Sequence, residues 1–273
     1  IPVDIIPLFE SVEDLNNASN VMQQLFEIRE YRNHLSNRGN KQTIMLGFSD
    51  GTKDGGYLKA NWSIFKAKES LTTICKQYDV QVMFFDGRGG PPGRGGGYTH
   101  EFYASQGSTI SSKEIQVTIQ GQTINSNFGK LASCSYNLEQ LFSALIENQL
   151  FQRDTNLLSS EDRKLMEELC DEAYASYLNL KNHPSFVPYL EKATPLKWFG
   201  ETNIGSRPSK RNASGGFVFE DLRAIPFVGS WAQMKQNVPG YYGIGSALNA
   251  VLKKGKREEI INLINKSLYL KSL

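Results

Sequence analysis

Two arginines lie among glycines in Asp86-Gly87-Arg88-Gly89-Gly90-Pro91-Pro92-Gly93-Arg94-Gly95-Gly96-Gly97. Guanidinium groups grip carboxylate or phosphate through paired hydrogen bonds. Glycines let a backbone approach a ligand closely with its N–H groups exposed. The pattern suits a small, multiply charged anion. Other charged residues also follow apolar runs: Glu10 after Pro7-Leu8-Phe9, and Asp50 with Lys53 after residues 43–48. Two carboxylates from different strand ends can share a hard divalent cation, with water and substrate oxygens completing its shell. Two arginines and a lysine opposite would hold a phosphate and a carboxylate. Together these residue types fit Mg2+-assisted phosphoryl chemistry.

Each residue alone has a plainer reading. Glu10 could simply favour the positive end of the helix that follows. Asp50 could cap a turn, and Lys53 could be a solvated turn residue. Glycine–arginine composition also marks disordered RNA-binding segments. Those form long low-complexity tracts, whereas this is one short insert before Tyr98-Thr99-His100-Glu101-Phe102. A second basic cluster, Arg207, Lys210 and Arg211, precedes Gly215-Gly216 and Arg223. Alone it reads as a solvated loop, shaped by Pro208. His34 and His183 read as surface residues, and His100 as a hydrogen-bonding support for the glycine loop. No His/Cys metal spacing or Walker A pattern is present.

The elements that must position these residues are legible as periodic runs. Residues 43–48 and 80–85 read as buried strands, and residues 115–119 alternate as a half-buried strand does. A loop over residues 49–56 is expected to close the first of these. Ser11 is a good N-cap, with Glu13 and Asp14 in the first turn of a helix carrying Leu15, Val21, Leu25 and Ile28. A helix is expected over residues 58–78, where Ala60, Ile64, Ala67, Leu71, Ile74 and Tyr78 share one face. Helical patterns follow at 138–150, 161–180, 184–193, around 230–236, 246–254 and 256–267, with a polar loop at 200–216. Strands separated by helices in the first half imply parallel βα units; the second half is mostly helix. The expected division is 1–134 and 135–273, as one continuous unit. In a βα barrel, residues just past the strands gather on one face, where barrel enzymes place their sites.

The 273 residues are 40% hydrophobic and support a substantial core. With 30 basic and 28 acidic residues the net charge is +2, which argues against a general nucleic-acid binder or a polybasic membrane surface. No apolar run reaches membrane-spanning length. Cys75, Cys134 and Cys170 are odd in number and widely spaced, reading as reduced thiols of a cytoplasmic protein. The start, Ile1-Pro2-Val3-Asp4, carries no signal-peptide pattern and reads as the middle of a protein.

In order along the chain, several motifs resemble the phosphoenolpyruvate carboxylase family. They are Pro7-Leu8-Phe9-Glu10 with Asp14-Leu15-Asn16-Asn17-Ala18, Gly47-Phe48-Ser49-Asp50 with Lys53-Asp54, and the glycine-rich loop with Thr99-His100. Val117-Thr118-Ile119-Gln120-Gly121, Phe128-Gly129, residues 205–211 and Leu222-Arg223-Ala224-Ile225-Pro226 complete the set. The resemblance implies joining of phosphoenolpyruvate and bicarbonate, with Mg2+ or Mn2+, to give oxaloacetate and phosphate through carboxyphosphate and the enolate of pyruvate. It implies Glu10 and Asp50 as metal ligands, and Arg88, Arg207, Arg223 and Lys53 as substrate ligands. Arg94 would be the mobile-loop arginine that stabilises charge on carboxyphosphate; Arg88 and Arg223 would share in the catalysis. The implied fold is helix-rich α/β, part of a TIM-like βα barrel with many additional helices, in a cytoplasmic homotetramer. Asp86 stands where the family pattern has histidine, and a carboxylate there would repel an anionic substrate. The chain covers less than half of a family member. The catalytic histidine implied for the N-terminal half is outside it, so the isolated chain is expected to be inactive and to expose open sheet edges.

Overall fold

The computed structural model describes residues 3–119, 122–151, 158–201 and 219–273. Its centre is a sheet of four parallel strands in chain order, β1 (Leu8–Phe9), β2 (Lys41–Leu46), β3 (Gln81–Asp86) and β4 (Ile115–Val117). Helices fill each crossover. α1 (Val12–Glu27) and α2 (Arg29–Asn37) join β1 to β2. α3 (Phe48–Gly55) and α4 (Tyr57–Gln77) join β2 to β3, and α5 (Thr99–Ala104) lies between β3 and β4. This bears out the parallel βα units. The two edge strands are short, two and three residues, which leaves few unpaired backbone groups.

Alternation along the strands decides which face is buried. Gln42, Ile44 and Leu46 on β2, and Val82, Phe84 and Asp86 on β3, point into the helical layer. Ile44, Leu46 and Phe84 share one core with Leu15, Met22, Phe26, Leu71 and Cys75. Each fully buried Leu or Phe there contributes about 1.5–3 kcal/mol. Thr43, Met45, Met83 and Phe85 lie on the opposite, half-exposed face. Ser11 caps α1 as expected. Its side chain accepts from the Asp14 amide at 3.0 Å, and Asp14 accepts from the Ser11 amide at 3.2 Å.

One expectation is overturned near the site. Residues 49–56 are not a loop: α3 begins at Phe48, directly after β2, and ends on Gly55. Gly51 and Gly55 give this segment low intrinsic helix propensity. Packing supplies the reason for Gly51. A Cβ there would lie 3.1 Å from the Glu10 carbonyl oxygen and 3.5 Å from Ala60 Cβ. The helix is wedged between β1 and α4, so tertiary contact overrides propensity.

The other elements among the described residues are helices: α6 (Gln122–Phe128), α7 (Leu131–Leu150), α8 (Ser160–Lys181), α9 (Phe186–Ala193), α10 (Leu196–Glu201) and α11 (Ala224–Gln233). Then follow α12 (Val238–Tyr241), α13 (Ile244–Lys253), α14 (Arg257–Lys266) and α15 (Leu268–Ser272). The loop expected over 200–216 starts inside α10, and its residues from 202 onward lie outside the described residues. The helix expected around 230–236 begins earlier, at Ala224. The main core draws Ala144, Leu169, Val251 and Tyr269 from the second half. A smaller cluster joins Phe186, Leu190, Phe219, Phe227 and Trp231. Among the described residues no helix is long and apolar enough to cross a membrane.

An ionic seam ties α8 to α4. Lys59 Nζ lies 2.7 Å from Glu167 Oε1, while Trp62 Nε1 and Lys66 Nζ each donate to Glu167 Oε2 at 2.7 Å. Burial pushes the Glu167 carboxyl up, but the hydrogen bonds from Lys59, Lys66 and Trp62 outweigh it and hold the pKa at about 2. A depressed carboxylate adds stability above its unfolded pKa and loses it as the pH falls through the folded one. Thermal unfolding should therefore show a stability loss between the ordinary value of 4.5 and about 2. Glu167→Gln should flatten that part of the curve; an unaltered slope would show that the seam does not contribute.

Candidate active site at the carboxyl ends of the strands

Because all four strands are parallel, the residues that follow them line one edge of the sheet. Glu10 follows β1 and crosses the start of α3. A Cβ on Gly47 would sit 2.5 Å from Glu10 Cβ, so only glycine permits this approach. Asp50 and Lys53, three residues apart on α3, share a helix face. Glu10, Asp50 and Lys53 line one cavity of about 240 Å³, with Asp14, Asp54 and Lys181 among its walls. The two carboxylates expected to share a cation are thus brought to one cavity. Asp54 is engaged structurally: it accepts from the Val12 amide at 3.1 Å and lies 3.5 Å from Lys181 Nζ. Lys53 Nζ donates to the Glu220 carbonyl at 3.3 Å and sits 4.7 Å from the centre of the Phe219 ring. Phe219 belongs to the smaller core cluster, so that cluster helps to place the lysine.

The two arginines of the glycine loop are held differently. Arg88 is buried. Its Nε donates to the Gly95 carbonyl at 2.6 Å, and its guanidinium carbon lies 3.9 Å from the Phe102 ring centre. Gly95 has φ +78°, and a Cβ there would strike Phe48 at 2.4 Å, so the loop rests directly on the start of α3. Arg94 ends a 3-10 turn over Pro92–Arg94, closed by the Gly95 amide donating to the Pro92 carbonyl at 2.8 Å, and the Gly89 amide donates across the loop to the Arg94 carbonyl at 2.7 Å. Its Nε donates to Ser49 Oγ at 3.2 Å. Burial lowers the pKa of the Arg94 guanidinium, and the Asp50 charge opposes that shift. Arg94 therefore reaches from the loop to α3, at the residue before Asp50, and is not among the residues lining the acidic cavity. Arg88 instead lines a second cavity of about 230 Å³, with Gly90, Thr99, Thr118, Asn137 and Leu141.

Arg223 N-caps α11, which packs against α3, and lines neither of these two cavities. Its Nε is buried without a hydrogen-bond partner among the described residues, a donor position that fits an anion. Arg207 lies outside the described residues, as do Lys210, Arg211 and Gln120-Gly121.

The sequence model of the family described as phosphoenolpyruvate carboxylase matches residues 2–272. The chain belongs to the phosphoenolpyruvate carboxylase family. Curated phosphoenolpyruvate carboxylases resemble it along most of its length. That of Corynebacterium efficiens is 39% identical over 256 residues, 93% of this chain and 28% of the relative. That of Nitrosomonas eutropha is 39% identical over 262 residues, 95% of this chain and 28% of the relative. That of Corynebacterium diphtheriae is 38% identical over 249 residues, 90% and 27% respectively. The chain thus spans little more than a quarter of the length of these phosphoenolpyruvate carboxylases.

Against the phosphoenolpyruvate carboxylase pattern, Asp86 is the residue whose placement changes most. The sequence reading set its charge against an anionic substrate. The structure buries it completely, lining neither cavity and paired with Lys68 at 2.7 Å. Ser49, Phe102, Tyr103 and Lys68 contact Arg94, Arg88 or Asp86 and were not singled out by sequence. Ser49 and Phe102 sit inside quoted motifs, so adjacency was the available signal. Lys68 carried none, because a lysine on an amphipathic helix normally faces water. His100 lies 3.5 Å from Glu147 of α7, beside the loop.

Proposed function

We propose that a full-length polypeptide carrying this chain joins phosphoenolpyruvate and bicarbonate to give oxaloacetate and phosphate. The observation that carries this reading is the meeting of Glu10, Asp50 and Lys53 in one cavity, with Arg94 donating to Ser49, the neighbour of Asp50 on α3. Glu10 and Asp50 are hard oxygen donors and suit Mg2+ or Mn2+. Among the described residues no cluster of three potential protein ligands exists, so water and substrate oxygens would complete the shell. When bound, the cation would neutralise charge on phosphoryl and enol oxygens.

The chain's own residues would do the rest. Arg88, with Arg207, Arg223 and Lys53, holds the phosphate and carboxylate of phosphoenolpyruvate. A bicarbonate oxygen attacks phosphorus; the new P–O bond forms as the bond to the enol oxygen breaks. Carboxyphosphate and the enolate of pyruvate result. Arg94 stabilises the charge on carboxyphosphate. Carboxyphosphate then loses CO2, leaving phosphate, and the enolate carbon captures the CO2. Four parallel strands in chain order with one half-exposed face support an arc of a βα barrel. Further strands of a full-length polypeptide would continue it, within a homotetramer.

A second reading concerns the 273 residues by themselves: a module that folds and binds cation or phosphate without turnover. The open sheet and the quarter-length coverage favour it. Oxaloacetate formation, followed by coupled NADH oxidation, separates the two. Full-length protein should form oxaloacetate when given phosphoenolpyruvate, bicarbonate and Mg2+, and the isolated chain should form none. An inert full-length protein sinks the first reading, and turnover by the isolated chain sinks the second.

A further inference from the structure

The sequence reading left Asp86 without a role, and the cavities leave it out. It is the last residue of β3, and its side chain is fully buried. Alternation places it on the same face as Val82 and Phe84, toward α4 and α5. Its Oδ2 accepts from Lys68 Nζ at 2.7 Å and from the Tyr103 hydroxyl at 2.9 Å. Its Oδ1 has no hydrogen-bond partner among the described residues. Lys68 is as buried as Asp86, and Gln106 Oε1 is a further acceptor for it at 3.4 Å.

A buried ion pair of this kind adds little net stability over a neutral pair of similar shape, because both charges lose their water. Its consequence is geometric. The Tyr103 hydroxyl is tied to the carboxylate, and the Phe102 ring meets the Tyr103 ring edge to face, with centroids 5.1 Å apart. The Arg88 guanidinium carbon lies 3.9 Å from one ring centre and 5.6 Å from the other. Stacking on an aromatic face fixes the plane of a guanidinium and leaves its edge for an anion. Lys68 also repels Arg88, and the charge of Asp86 on Lys68 opposes that repulsion.

We propose that Asp86 is a positioning residue for Arg88: paired with Lys68 and holding Tyr103, it fixes the aromatic shelf that aims the guanidinium at the substrate. This rests on the reading of Arg88 as a ligand of phosphoenolpyruvate. Asp86 itself touches no substrate and transfers no proton. The carboxylate that seemed to repel the substrate instead sits behind the arginine that attracts it.

Steady-state kinetics of a full-length carboxylase carrying this sequence provide the test. Asp86→Asn should raise KM for phosphoenolpyruvate about tenfold, the loss of one charge-assisted hydrogen bond, while kcat stays within about threefold. Tyr103→Phe removes only the hydroxyl tie and keeps the ring; it should raise KM about threefold at an unaltered Tm. If Asp86→Asn does not fold, Tyr103→Phe decides. Unchanged KM in the folded variants, whatever their Tm, would overturn the proposal, leaving the pair a mere part of the core. A loss of kcat of about a hundredfold in Asp86→Asn at unchanged KM would also overturn it, marking a reacting group. Arg88→Ala separates this from the underlying reading. If KM is unchanged in Arg88→Ala, the reading of Arg88 falls and the proposal with it. If Arg88→Ala raises KM and the other two variants do not, the proposal alone falls.

Discussion

Arg94→Ala in a full-length polypeptide carrying this sequence is expected, on the carboxylation proposed above, to lower kcat by about a hundredfold to a thousandfold, the usual effect of losing a donor aimed at developing charge. KM for phosphoenolpyruvate should stay within about threefold, because ground-state binding rests on other cations. The geometry gives the reason. Arg88 is fixed by the Gly95 carbonyl and the Phe102 ring, whereas Arg94 is carried by a three-residue turn and reaches Ser49, next to Asp50. A guanidinium placed there can meet charge that appears only as bicarbonate oxygen joins phosphorus. Arg94→Lys should recover part of the rate, since it restores the charge without the planar fork. A variant that loses affinity alone would assign Arg94 to substrate binding instead.

Asp50→Asn and Glu10→Gln are each expected to weaken Mn2+ binding by about two orders of magnitude, measured by electron paramagnetic resonance. Both side chains line the same cavity, but so does Asp14, which makes a useful control. Asp14 accepts from the Ser11 amide in the capping box of α1. Asp14→Asn should therefore cost about 1 kcal/mol of stability and leave Mn2+ affinity nearly unchanged. If Asp14→Asn weakens Mn2+ as much as Asp50→Asn, the cavity is a diffuse acidic surface rather than a two-carboxylate site. If neither Asp50→Asn nor Glu10→Gln weakens it, the cation binds elsewhere.

How far the sequence carries can be judged from particular residues. The run 80–85 was legible as a strand because apolar, β-branched and aromatic residues end abruptly at a glycine loop; β3 extends one residue further, to Asp86. Ser11 was legible as a cap because N-capping depends on a residue and its immediate neighbours. The placement of Glu10, Asp50 and Arg88 after successive strands followed from the alternation of strand and helix, which the parallel sheet bears out. These are local properties, carried by residues a few positions apart.

The remainder depends on residues far apart in the chain. Asp50 and Lys53 were expected on a loop, because glycines lower helix propensity; contact with Glu10 and Ala60 makes that segment a helix. Nothing local reports that Lys68 turns inward to meet Asp86, or that Arg94 meets Ser49, 45 positions earlier. The sequence by itself determined that charged residues follow successive strands and that parallel strands deliver them to one edge. The tertiary structure alone decided which carboxylates share a cavity and which one is spent in the core. The physical reason is that residue type and periodicity act over a turn or a strand, whereas burial and pairing are set by elements that meet only when the chain is packed.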